Sequence, residues 1–214
     1  MNESIIEEAK GFITDLFREE YSGHDDSHTM RVYSMARRIA ETEGADVRLV
    51  CLAALLHDAD DIKLSPQTNA GLDRARGFME SHGVCACEAE KVCEIIREVS
   101  FKGSDSVVPS TLEGKCVQDA DRLDAIGAIG IARAFAYGGS RRRAMHDPDI
   151  KPKLNMTEAE YRSSDSTSLN HFYEKLFLLK DMMNTESARL IARRRDSFMH
   201  EFVDEFLSEW EGES

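Results

Sequence analysis

The chain has 214 residues, of which 42% are hydrophobic and 31% are charged, and its formal net charge is −13. This composition is typical of a globular protein and excludes a disordered or fibrous one. The length allows one domain with a substantial core or at most two small ones. Because four prolines and thirteen glycines leave little material for linkers, we expect a single domain over residues 1–214. The acidic balance argues against a nucleic acid polymer as partner, because its phosphates bind a basic surface. A nucleotide substrate is compatible, since a few cations around a metal reverse the local field.

The N-terminal segment and the apolar runs predict where the protein works. The first ten residues, MNESIIEEAK, lack the basic region and apolar stretch of a signal peptide. The longest dense apolar run, residues 49–56, is far shorter than the ~20 residues of a membrane span. We therefore expect a cytoplasmic protein with no membrane partner.

Nearly every segment has helical periodicity and no strand-like alternation is sustained, so we predict an all-α fold. Asp46 is a suitable N-cap for one helix, and Gly44 a suitable end for the helix before it. Residues 140–165 have the character of a long loop, which in a compact domain is usually functional or mobile. Helices are expected at residues 4–20, from 25–27 to 44, and at 47–56, 69–82, 87–99, 110–124, 167–183 and 186–210, with small residues for close packing at 125–132.

The helix at 47–56 is apolar nearly all round, which predicts a central position, yet it ends in His57-Asp58-Ala59-Asp60-Asp61. Unpaired charge beside a buried helix is costly. Neighbouring side chains diverge by about 100° inside a helix, but at its end they can converge on one ion. His28 and Asp119 are the best candidates for two further ligands. Such a nitrogen and oxygen set suits Mn, Fe, Co, Ni or Zn.

The five cysteines are an odd number without the spacing of a disulfide framework. Cys85, Cys87 and Cys93 with His82 offer four metal ligands, but the usual two-residue spacer is absent. We expect free thiols, most of them buried or half-buried.

The arrangement of His28, His57-Asp58 and Asp119 resembles the HD-domain superfamily of metal-dependent phosphohydrolases. The resemblance covers essentially the whole chain and is closest to the branch of YpgQ-type nucleoside triphosphate pyrophosphohydrolases. The motifs that carry it are Ser22-Gly23-His24-Asp25, Arg31-Val32, residues 53–58, Ser100-Phe101-Lys102-Gly103, residues 119–127, residues 170–176, Lys180-Asp181 and Met183-Asn184-Thr185.

The resemblance implies a helical fold in which His28, His57, Asp58 and Asp119 hold one octahedral divalent metal. Mn, Fe, Co, Ni or Zn is expected, with Mg as a further candidate. Members with two metals carry extra histidines between the His-Asp pair and the last aspartate. Only His82 lies there in this chain, and we expect it at the surface. The metal-binding core is expected at about 22–125, with helices at about 166–212 completing the pocket.

Further polar residues are candidates for catalysis and substrate binding. Asp61 could orient or deprotonate the attacking water, or be a solvated turn residue. His24 lies one turn before His28 and could reach the water or a phosphate, or belong to a helix cap. Arg122 could contact substrate or pair with Asp124. The expected substrate-binding residues are Lys102, Arg122, His171, Lys175 and Lys180.

Together these features predict an enzyme in which a metal-activated water attacks phosphorus. The leading hypothesis is hydrolysis of a nucleotide phosphate bond, such as release of pyrophosphate from a nucleoside triphosphate. A phosphomonoesterase or a cyclic-nucleotide phosphodiesterase would use the same metal site. A metal- and nucleotide-binding regulatory module is the alternative from another class. The substrate is a small phosphorylated molecule, and the protein is expected to be a monomer or homodimer.

Overall fold

The computed structural model describes residues 3–18, 26–61, 65–99, 106–154 and 166–213. Within these ranges the chain is helical and has no strand, which confirms the predicted all-α class. Among the described residues, no helical segment combines the length and the hydropathy that a membrane span requires. The α-helices are α1 (Glu3–Leu16), α2 (Asp26–Glu43), α3 (Val47–Leu56), α4 (Asp73–Ser81), α5 (Ala86–Val99), α6 (Leu112–Asp124), α7 (Gly127–Ser140), α8 (Asn170–Glu174) and α9 (Glu186–Glu211), and a 3-10 helix covers Leu176–Met182.

The described residues form two compact units. The first unit contains those of 1–100 together with 107–121, and the second contains residue 106 and those from 122 onward. The expectation of a single domain over 1–214 stays a prediction.

In the first unit, α3 packs against α1, α2 and α5. Every residue of α3 from Val50 to Leu56 is buried, which confirms the central position predicted for this helix. Asp46 caps its N-terminus as expected, because its carboxylate accepts hydrogen bonds from the amides of Arg48 and Leu49 at 3.0 and 3.1 Å. The first unit is therefore organised around a helix whose C-terminal end carries the His-Asp pair.

The helix predicted at residues 69–82 begins later in the structure. Residues 66–72 form turns, and α4 starts at Asp73. Leu72 precedes it in the left-handed region, with φ 54°, and provides no side-chain cap. The helix-like pattern of residues 69–72 thus belongs to the turns that lead into α4.

In the second unit, α9 packs against α7 and the 3-10 helix. The prediction of one continuous helix over 167–183 was wrong. The five residues of α8 end at Glu174, Lys175 is the C-cap residue, and the 3-10 helix begins at Leu176. Phe172, Leu176 and Leu179 are buried at a spacing that an α-helix and a broken pair of helices both satisfy. The apolar pattern alone therefore does not reveal the break.

Hydrogen bonds to the preceding loop help to place this break. The Asn170 side chain donates to the carbonyl of Ile150 at 2.7 Å, and Glu174 accepts from the amide of Lys153 at 3.1 Å. Both tie α8 to the loop predicted at residues 140–165. Its first residue, Ser140, is the last of α7, and the described residues after it, 141–154, contain no helix. Tertiary hydrogen bonds of this kind override local helix propensity.

Candidate metal centre

His28 lies near the start of α2, on the face that packs into the first unit. Val32 and Ala36 follow it at intervals of one turn, and all three side chains are buried. The imidazole is only 1% exposed. His28 thus continues the apolar stripe of α2 with a polar group, and this group needs a polar partner.

His57 is the C-cap residue of α3, and the backbone turns away from the helix over residues 57–60. The turn is closed by the amide of Ala59, which donates to the carbonyl of Leu56 at 3.1 Å. In this geometry the adjacent side chains converge, with 3.4 Å between Nε2 of His57 and Oδ1 of Asp58. His28, His57 and Asp58 offer ligand atoms that all lie within 4.8 Å of one another.

The imidazole of His57 is oriented by one hydrogen bond. Its Nδ1 lies 2.8 Å from the carbonyl oxygen of Ala54, which can only accept, so Nδ1 carries the proton. In the neutral form of the ring, Nε2 then presents a lone pair. This atom is buried and has no hydrogen-bond partner among the described residues. A neutral imidazole held through Nδ1 with a free Nε2 is the usual form of a histidine metal ligand, so the residues fit a divalent metal.

A second carboxylate reaches the two histidines from α6. Oδ1 of Asp121 lies 3.4 Å from Nε2 of His28 and 3.9 Å from Nε2 of His57. Asp119 is fully buried on the same helix, and two positions along a helix differ by about 200° around its axis. The carboxylate that the structure brings to the imidazoles is thus that of Asp121, which sequence reasoning missed. The assignment of Asp119 as a ligand stays a prediction.

The surroundings of Asp121 favour its ionised form. Burial acts to raise the pKa of this carboxyl group, but the hydrogen bond with His28 and the electrostatic influence of His57 and His28 outweigh it. The pKa of Asp121 is therefore lowered. An ionised carboxylate beside two imidazole nitrogens matches the ligand preference of divalent transition metals.

The two remaining carboxylates after α3 have separate environments. Asp60 is 2% exposed, and both of its oxygens accept backbone hydrogen bonds from the start of α4. Asp61 is partly exposed, and its amide donates to the carbonyl of Asp58 at 3.1 Å. Asp61 thus follows Asp58 by one turn, and its role as a base stays a prediction.

Two of the predicted substrate-binding residues, Arg122 and Lys180, have defined structural contacts in the second unit. The guanidinium of Arg122 is buried and donates to the carbonyl of Met182. Asp124, considered as its ion-pair partner, binds Arg133 at 2.7 Å. The ammonium of Lys180 binds the buried carboxylate of Asp196 at 2.9 Å. These contacts are structural, and substrate binding by Arg122 and Lys180 stays a prediction.

His171 and Lys175 lie one turn apart on α8, as their spacing predicts. Burial lowers the pKa of His171 to about 3, and the charges of Lys175 and Arg143 act in the same direction. His171 is therefore a neutral imidazole at physiological pH. Any phosphate that it binds would be bound through an N–H group and without a positive charge.

The remaining candidate residues are His24, Lys102, His82 and the next three cysteines after His82 in the sequence. His24 and Lys102 lie outside the described residues. His82 is exposed as expected, and its Nε2 binds Glu8 at 3.0 Å. Cys85 and Cys87 are exposed, Cys93 is buried, and all three are free thiols. In the described ranges they join no cluster of metal-binding groups.

The helical fold and the cluster of His28, His57 and Asp58 define a class of protein, the metal-dependent phosphohydrolases of the HD type. The HD domain family matches residues 25–126. The Bacillus subtilis protein YpgQ is 38% identical over 199 residues, which cover 92% of this chain and 89% of YpgQ. The chain belongs to the HD-domain family, whose members bind a divalent metal.

Solved structures agree with this membership. A protein from Lactobacillus plantarum has a TM-score of 0.87 at 40% identity, with 98% of both chains covered. An HD-superfamily hydrolase from Bacillus thuringiensis has a TM-score of 0.76 at 42% identity, with 97% of both covered. The crystal structure of B. subtilis YpgQ in complex with ADP has a TM-score of 0.78 at 33% identity, covering 98% of this chain and 100% of YpgQ. The chain is thus an HD-superfamily hydrolase.

Proposed function

We propose that the chain hydrolyses a phosphate bond of a nucleotide and, more specifically, that it releases pyrophosphate from a nucleoside triphosphate. The observation that carries the metal-dependent part is the orphaned Nε2 of His57, which faces His28 and the carboxylates of Asp58 and Asp121. The nucleotide is supported by the ADP in the crystal structure of YpgQ. Manganese is the proposed ion, and the cytoplasm the proposed location.

His28, His57 and Asp58 would hold the ion, with Asp121 as the carboxylate that the geometry favours over Asp119. When bound, a divalent ion lowers the pKa of a water molecule and offsets charge on the phosphoryl group. Asp61 would accept the proton of the attacking water, because a carboxylate one turn after a ligand is suited to act as a general base. Lys102 and Lys175 would supply the positive charge for the remaining phosphates.

The test is product analysis with Mn²⁺-loaded protein and a panel of nucleoside triphosphates, diphosphates, monophosphates, cyclic nucleotides and p-nitrophenyl phosphate. We expect pyrophosphate and a nucleoside monophosphate from a triphosphate. In ¹⁸O-labelled water the label should enter the monophosphate, because attack then occurs at the α-phosphorus. Inorganic phosphate from a monoester, or opening of a cyclic nucleotide, would replace this proposal by one of the alternative hydrolases.

Variants of two histidines make the assay specific for the metal site. His57→Ala should reduce turnover by at least about 100-fold, since changes to groups that only support a metal ligand already cost 10–100-fold. His82→Ala removes a histidine of the same unit that pairs with Glu8 at its surface, and should leave turnover unchanged. Tight nucleotide binding by metal-loaded protein without any product would refute the enzymatic function.

A further inference from the structure

Asp60 is buried beside the proposed metal site, but its carboxylate is committed to another helix. Oδ1 accepts a hydrogen bond from the amide of Arg74 at 3.1 Å, and Oδ2 accepts one from the amide of Ala75 at 2.9 Å. These are the second and third residues of α4, which begins at Asp73. They donate the two amide hydrogens that an N-cap side chain normally accepts.

The residue in the N-cap position of α4 cannot serve this purpose. Leu72 has no side-chain acceptor and lies in the left-handed region. Asp60 therefore caps α4 from a distant position in the sequence. In doing so it places a negative charge at the positive end of the helix dipole.

Other contacts hold the same turn. The side-chain amide of Asn69 donates to the carbonyl of Asp60 at 2.8 Å. The guanidinium of Arg74 lies 3.4 Å from the carbonyl oxygen of Ala59. The methyl group of Ala59 packs with Ile13 of α1 and with Phe17, which directly follows this helix. Residues 59 and 60 are thus held between α1 and the start of α4.

We propose that Asp60 is a positioning residue, which fixes the turn after α3 so that the adjacent side chains of His57 and Asp58 converge on one metal ion. The inference rests on the metal site of the proposed function. Its physical reason is that ligands must be held within about 0.5 Å of their working geometry by the groups behind them. Without the cap, the turn keeps its apolar anchor at Ala59 but loses the contact that defines its direction.

The experiment compares Asp60→Asn with Asp46→Ala. Asp46 caps α3 through the same two positions of the helix, Arg48 and Leu49, but at the end of α3 remote from His57. We expect Asp60→Asn to weaken Mn²⁺ binding about 10–100-fold in isothermal titration. It should also change the visible absorption spectrum of the Co²⁺-loaded protein. Asp46→Ala should leave the affinity and the spectrum as in the wild type, although it loses the cap of α3.

Thermal unfolding of the metal-free proteins separates positioning from general destabilisation. Wild-type Mn²⁺ affinity in Asp60→Asn would overturn the proposal, as would equal losses of affinity in both variants. If Asp60→Asn does not fold, the proposal is tested with Asn69→Ala instead. This variant removes only the hydrogen bond to the carbonyl of Asp60. It should weaken Mn²⁺ binding, and wild-type affinity would refute the proposal. Absence of Mn²⁺ binding by the wild type would instead refute the proposed metal site itself.

Discussion

The imidazole of His28 faces the carboxylate of Asp121, with 3.4 Å between Nε2 and Oδ1. The contact joins α2 to α6 and completes a ring of two imidazoles and two carboxylates with His57 and Asp58. Asp119, the carboxylate favoured by sequence reasoning, lies on the same helix and is fully buried. The identity of the fourth ligand is therefore a question that two neighbouring variants can answer.

Asp121→Asn should weaken Mn²⁺ binding by about 10–100-fold or more, because the variant removes a charged ligand from the cluster. Asp119→Asn should lower the unfolding temperature of the metal-free protein, because its carboxylate is fully buried and changing a buried polar group is costly. It should leave the Mn²⁺ dissociation constant close to the wild-type value. Isothermal titration and thermal unfolding measure both effects. The opposite pattern of affinities would establish Asp119 as the ligand.

The two aspartates show where sequence reasoning about the site reaches its limit. Most of α6 is buried, including Asp119, and the side chains of Asp119 and Asp121 lie about 200° apart around its axis. The sequence pattern does not distinguish these two faces of the helix, and only the packing of α6 defines which of them meets the histidines. His28 and His57-Asp58 could be predicted from the sequence, because each is a polar group in a strongly apolar helical context.

Asp60 was noticed as part of an unusual acidic run, but its role was not predictable. Its partners are backbone amides of α4, and every residue has such an amide, so no side-chain signal marks them. The fold class and the central helix α3 were predictable from apolar periodicity. The break at Lys175 was not, because the apolar residues on either side of it keep a helical spacing.

Gly130 and Gly139 of α7 should respond in opposite ways to replacement by alanine. A Cβ atom at Gly130 would lie 2.2 Å from the backbone carbonyl oxygen of Ala125, whereas one at Gly139 would meet nothing within 4 Å. Gly130→Ala should destabilise the protein by about 1–3 kcal/mol through overpacking. Gly139→Ala should be neutral or stabilising by up to about 1 kcal/mol through helix propensity. Urea unfolding tests both, and equal effects would contradict the close approach at Gly130.

His171 should remain neutral in the folded protein far below the pH at which an ordinary histidine is protonated. Burial lowers its pKa from 6.5 to about 3, so between these values the unfolded state binds more protons than the folded state. Stability is therefore lost as the pH falls below 6.5. At pH 5 this loss is about 1–2 kcal/mol relative to neutral pH.

His171→Gln should remove that part of the pH dependence, as measured by urea unfolding at pH 7.5 and pH 5. The NMR resonances of the His171 imidazole in the wild type should not shift across this range. A titration midpoint near pH 6 would show that the imidazole is accessible to water and charged when it meets a phosphate.

Lys180 and Lys175 should separate into a structural residue and a substrate-binding residue. The Lys180 ammonium neutralises Asp196, whose side chain is 7% exposed, at a distance of 2.9 Å. Lys180→Met should lower the unfolding free energy by about 1–2 kcal/mol, a value reduced from that of a buried pair because Lys180 is partly exposed. Asp196→Asn in the same protein should restore part of the loss, because the uncompensated charge is then removed.

In steady-state assays with the best nucleotide of the panel, Lys180→Met should retain the wild-type KM. Lys175→Met should raise KM at unchanged stability, since a lysine that binds phosphate contributes to substrate affinity. A raised KM in Lys180→Met that Asp196→Asn does not reverse would instead place Lys180 in direct contact with the substrate.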